Sequence, residues 1–228
     1  MRRATRPPVR RTLDVSFRIE PARIEFLADH LGHRFGPRLV SEAWKFRLRV
    51  EQDWKTYRRF ALQPLSVLGQ ERFAAKVVVS LLPPRFRIGA VEPTSALILF
   101  GQPLRCRGFA TAIFAHELAH MILAGGPEQG VMLGEIVALL AEAHVYRSAA
   151  GKTLADVWKG ADLDAFHAGA IAVAVKLEPE LDWSSLSFCE LIEKVDRHLP
   201  AAMRSLAPPK GLLRNIGRDP RKEIGPIA

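Results

Sequence analysis

Residues 112–123 read AIFAHELAHMIL, and within them His116, Glu117 and His120 make the pattern His-Glu-x-x-His. On an α-helix, positions four apart lie one turn apart on one face, so both imidazoles can reach a single zinc ion at ~2.0–2.1 Å. Glu117 then borders the ion without binding it. A carboxylate there can accept a proton from water acidified by the metal and so release a hydroxide nucleophile. Nearly every other position of 112–123 is apolar, so the helix should be buried. Burying two imidazoles and a carboxylate without partners costs several kcal/mol, and a metal removes that cost.

A catalytic zinc usually takes three protein ligands and keeps a fourth position for water. Gly125, Gly126 and Pro127 end the motif helix, and a second helix begins near Gly130. So short a connection makes the two helices antiparallel neighbours. The midpoint of the two histidines lies about six residues, ~9 Å, before the end of the first helix, and six residues into the second returns to that level. That residue is Glu135, the expected third ligand. Glu142 shares its face by seven-residue spacing but lies ~10 Å further along the axis. It is the alternate ligand, with His144 as an outsider. Ile136, Val137, Leu139 and Leu140 predict that this second helix is largely buried.

His116-Glu117-Leu118-Ala119-His120 followed by a glutamate on the next helix resembles the gluzincin branch of the zincin metallopeptidases. The resemblance implies that two histidines and a downstream glutamate bind Zn2+ and that Glu117 is general base. Leu133-Gly134-Glu135 resembles the stretch in which compact gluzincins carry the third ligand. Glu142-Ala143-His144 is similar instead to the Glu-Ala-Asn segment of ImmA/IrrE-type regulatory peptidases, with His144 in place of asparagine. The resemblance spans residues 112–147. The metzincin pattern is absent, because no histidine follows His120 at the required distance.

The elements that position the motif follow from periodicity. Residues 13–19 alternate like a strand, 21–31 read as a helix opening on Pro21, and 45–50 alternate again. KVVVSLL at 76–82 and SALILF at 95–100 are β-rich runs near Pro83, Pro84 and Pro93, with 86–89 a candidate strand between them. From 108 the period turns helical, at 109–124, 131–150, 154–157, 163–175 and 187–206, the last interrupted near Pro200. The expected fold is α+β and zincin-like: a small mixed sheet on the motif helix, then a helical C-terminal part. A zincin places a strand edge beside the metal helix to hold extended peptide, a role open to residues 95–100, which read equally as a central buried strand.

The 228 residues suit one domain, read as 12–206 with a strand-rich part (12–107) and a helical part (108–206) between a flexible basic arm (1–11) and a flexible tail (207–228). With Cys106 and Cys189 alone there is neither a disulfide framework nor a cysteine zinc site, so any metal falls to His and carboxylates. The basic start lacks the apolar core of a secretory signal, and no run reaches the ~18 apolar residues of a membrane span. A cytoplasmic protein without a membrane partner is expected. Residues 1–107 carry 21 Lys+Arg against 9 Asp+Glu, the rest 12 against 15. Peptide or protein is the expected substrate, and nucleic acid is the alternative partner, through the basic half. The functional alternatives are a DNA-associated regulatory protein on a zincin fold and a metal-binding but catalytically silent domain.

Peptide hydrolysis also needs a donor for the developing oxyanion, and Tyr146, His144 and His167 are candidates. Cys106, between Arg105 and Arg107, could carry a depressed pKa and serve a Cys–His hydrolase. Trp44, Trp54, Trp158 and Trp183 lack regular spacing and read as core or cap residues.

Overall fold

The computed structural model describes residues 13–69, 76–92, 95–124, 130–161 and 163–206. The expected arm and tail, and the Gly125-Gly126-Pro127 turn, lie outside them. In chain order the elements are β1 (Asp14–Arg18), α1 (Pro21–His30), α2 (Pro37–Leu68), β2 (Lys76–Leu81), a 3-10 turn (Pro84–Phe86), β3 (Ile88–Glu92), β4 (Leu97–Gly101), α3 (Phe109–Ala124), α4 (Val131–Ala150), α5 (Leu154–Trp158), α6 (Ala165–Leu177), a second 3-10 turn (Glu178–Glu180), α7 (Phe188–His198) and α8 (Ala201–Arg204). The fold is α+β, with a small mixed sheet and a helical C-terminal part.

The sheet order is β1-β2-β4-β3, parallel except for β3, which pairs antiparallel with β4. Successive strand residues face opposite sides, and both sides are covered. Val77, Val79, Leu81, Ile98 and Phe100 join the large core built by α2, α3 and α4, while Leu82, Ile88, Leu97 and Leu99 pack with Ile24 and Leu27 of α1 and Leu39 and Ala43 of α2. Two-sided burial explains why β2 and β4 read as continuous apolar runs. No described helix is long and apolar enough to cross a membrane.

Residues 45–50, expected as a strand, lie inside the 32-residue helix α2. The expected strand-rich part therefore also carries the longest helix. The buried positions of α2, Leu39, Ala43, Phe46, Val50, Asp53, Trp54, Ala61, Pro64, Leu65 and Leu68, fall on one helical face, and Leu48, which completed the apparent alternation, is 70% exposed. The candidate strand at 86–89 resolves into the first 3-10 turn followed by β3.

Candidate metal centre

α3 is buried almost all round, and its first turn is held from outside. Asp53, on the buried stripe of α2, accepts hydrogen bonds from the backbone N–H of Gly108 (2.9 Å), the N–H of Thr111 (2.9 Å) and the Thr111 hydroxyl (2.8 Å). A carboxylate from a different helix thus caps the otherwise unpaired N–H groups of α3. Burial pushes the Asp53 carboxyl above its ordinary range, against the lowering effect of these bonds. Gly108 adopts φ +74°, and a Cβ there would lie 2.5 Å from the Ala149 Cβ. The start of α3 therefore touches the end of α4, which makes the two helices antiparallel.

That antiparallel packing brings Glu135 of α4 to the histidines of α3. Nε2 of His116 and Nε2 of His120 are 3.0 Å apart. Glu135 places Oε1 3.6 Å from His116 Nε2 and Oε2 3.2 Å from His120 Nε2. Donor atoms bound tetrahedrally to zinc at ~2.0–2.1 Å stand ~3.3 Å from one another, so the spacing and the borderline-hard donor set fit that ion. Among the described residues these three form the only His/Cys/Asp/Glu group close enough to hold a metal.

Glu142 takes a different place. Its Oε2 lies 3.0 Å from Nδ1 of His116, the nitrogen facing away from Glu135, at ion-pair distance without an aligned hydrogen bond. Its Oε1 accepts the indole N–H of Trp158 at 2.8 Å, and the side chain is 1% exposed. Arg105 lies 4.7 Å above the Trp158 ring and donates to the Val157 carbonyl at 3.1 Å, which fixes α5 against this carboxylate.

Burial disfavours a charged His116, yet the charges of Glu135 and of Glu142, whose Oε2 lies 3.0 Å from Nδ1, drive its pKa up to about 10. Burial also pushes Glu135 up, but His116 and His120 outweigh it and hold the carboxyl at about 2. Glu117 is buried and forms no hydrogen bond to a described residue. Burial raises its pKa, partly offset by the two histidines.

Of the three oxyanion candidates, Tyr146 is fully buried against Phe109 (5.9 Å), with its pKa raised by burial and by Glu142. His144 packs on Trp183 (6.0 Å), and burial alone lowers its pKa. His167 is half-buried at the start of α6, its Nδ1 2.5 Å from Oδ2 of Asp164, and its charge contributes to lowering Glu135. Cys106 does not carry a depressed pKa, because burial pushes the thiol up. Of the two readings of residues 95–100, the central strand is the one found and the edge role is not: β4 is paired on both sides, so among the described strands the edge near α3 belongs to β3. A Cβ at Gly89 of β3 would lie 3.6 Å from Ile113 Cγ2 of α3.

Sequence reading passed over Asp53 and the part played by Trp158. Both had a signal: an acid on the apolar stripe of a long helix needs donors, and a buried indole N–H needs an acceptor. No family model, curated protein or solved structure matches the chain.

Proposed function

We propose that this protein is a zinc-dependent peptidase of zincin type, in which His116, His120 and Glu135 hold the ion and Glu117 is the general base. The observation that carries this reading is the set of 3.0, 3.2 and 3.6 Å separations among the three donor side chains, on two helices that bury almost everything around them. A zinc ion bound there supplies Lewis acidity toward a carbonyl and acidifies water. Glu117, with its carboxyl pKa raised by burial, accepts a proton from the attacking water and returns it to the departing amine. His167, oriented by Asp164, donates to the developing oxyanion. An extended substrate strand pairs with the open edge of β3, so that main-chain hydrogen bonds present its carbonyl to α3.

Elemental analysis of protein purified without a metal-affinity tag tests the site. About one zinc per chain in wild type, with little in His116→Ala, is expected. Glu117→Gln should keep the metal and lose hydrolysis in a peptide-library screen. Loss of metal in that variant would remove Glu117 from the role of base. Stoichiometric zinc without turnover on any peptide would move the protein to the catalytically silent alternative.

A further inference from the structure

The exposed face of α2 carries charge of one sign. Lys45, Arg49, Lys55 and Arg59 are all exposed, and at ~100° per residue they fall within about a third of the helix circumference. From Lys45 to Arg59 they span ~21 Å along the axis. Arg58 is exposed on their flank. None of the five has an ion-pair partner among the described residues. The acids of α2 do not answer them: Asp53 is buried as the cap of α3, Glu42 is taken by Arg38 and Arg85, and Glu51 by Arg47. Left unneutralised, these cations give the face a positive potential that a regularly spaced polyanion would complement.

We infer that this face of α2 binds the phosphate backbone of double-stranded DNA, independently of the metal centre. A row of Lys and Arg side chains without ion-pair partners along one helix face, Arg59 resting over the Phe60 ring at 4.6 Å, matches backbone contacts that position without reading bases. A single-stranded partner would call for a series of exposed aromatic rings, and the face offers Trp44 alone, 52% exposed under the Arg47 guanidinium at 5.3 Å. A membrane surface would call for a free apolar stripe. The apolar stripe of α2 is already spent in the core, leaving only Trp44 and Leu48 outside.

The test is fluorescence anisotropy of the full chain with a labelled duplex of about 20 base pairs, at salt from about 50 to 200 mM. Wild type is compared with K45Q/R49Q/K55Q and with the charge-conserving K45R/K55R. Each phosphate contact contributes ~0.9 to the slope of log K against log salt, so the neutralised variant should lose about 2.7 of that slope and bind at least about tenfold more weakly at 100 mM salt. K45R/K55R should bind like wild type, and zinc content and circular dichroism should be unchanged in both. Equal binding by wild type and K45Q/R49Q/K55Q overturns the proposal, as does absence of binding by wild type. Tighter binding to vesicles containing phosphatidylserine than to the duplex would overturn it in favour of a membrane surface.

Discussion

At the scale of single residues, the two buried glutamates of α4 divide the work around His116. Glu135 meets Nε2 of both histidines, and Glu142 faces Nδ1 of His116 from behind. A carboxylate in Glu142's position fixes the ring and raises the basicity of a ligand nitrogen, an effect worth about 10–100-fold in metal affinity. Glu142→Gln keeps an acceptor for Trp158 but removes the charge, so competition titration should show zinc binding weakened by about 1.4–2.7 kcal/mol. Glu135→Ala should abolish stoichiometric binding instead. The reverse pattern would make Glu142 the ligand. The same residues set a pH response in chelator-treated protein. Glu135, held at about 2 against an ordinary 4.5, stabilises the fold above pH 4.5, an advantage lost as pH falls toward 2. His116, held at about 10 against an ordinary 6.5, stabilises it below pH 6.5, an advantage lost as pH rises toward 10. Thermal melts in chelator should therefore show this pair contributing most between about pH 4.5 and 6.5. A melting temperature that does not fall from there toward pH 10 would contradict the coupling.

At the scale of elements, α3, which carries the two histidines, is placed by its neighbours more than by its own sequence. Asp53→Ala would leave two backbone N–H groups and a hydroxyl at the start of α3 without their acceptor, at a cost of roughly 2–4 kcal/mol in urea unfolding. Asp53→Asn should cost less, since an amide oxygen still accepts; equal losses would assign the effect to packing. What the sequence showed of this arrangement depended on window length. The ends of α3 and α4 and the level of Glu135 were legible, because two long apolar runs separated by a short segment beginning Gly-Gly-Pro leave one geometry. α2 was not, because KFRLRV alternates over six residues while the helical spacing of Leu39, Ala43, Phe46, Val50 and Trp54 emerges only over a longer span. β4 was legible as a strand, but its sequence left open whether it lay at an edge beside the motif helix or in the middle of the sheet. A continuous apolar run signals burial on both faces and says nothing about which neighbours fill its two edges.

At the scale of the whole molecule, the proposed metal centre sits where the parts of the fold meet. α3 packs on α2, α4 and β3, and α4 in turn packs on α6 and α7, so a ligand that ties α3 to α4 acts on contacts shared by most of the chain. Three donors on two helices exist as a site only when those helices are docked, and an ion that binds them favours the folded state by mass action. At zinc concentrations about a hundredfold above the dissociation constant the gain is about 2.7 kcal/mol. For a chain of this size 1 kcal/mol moves the midpoint by about 2–4 °C, so zinc should raise the melting temperature of chelator-treated wild type by roughly 5–11 °C. Calorimetry with zinc added back is the measurement, with His116→Ala and K45Q/R49Q/K55Q beside wild type. His116→Ala should lose the shift, because one of three ligands is gone. K45Q/R49Q/K55Q should keep it in full, because its cations lie on the solvent face of α2 while the buried face, through Asp53, holds α3. A zinc-dependent shift preserved in His116→Ala would place the ion elsewhere in the chain. A shift lost in K45Q/R49Q/K55Q would join the two faces of α2 into one functional unit, with the charged surface and the metal helix responding together.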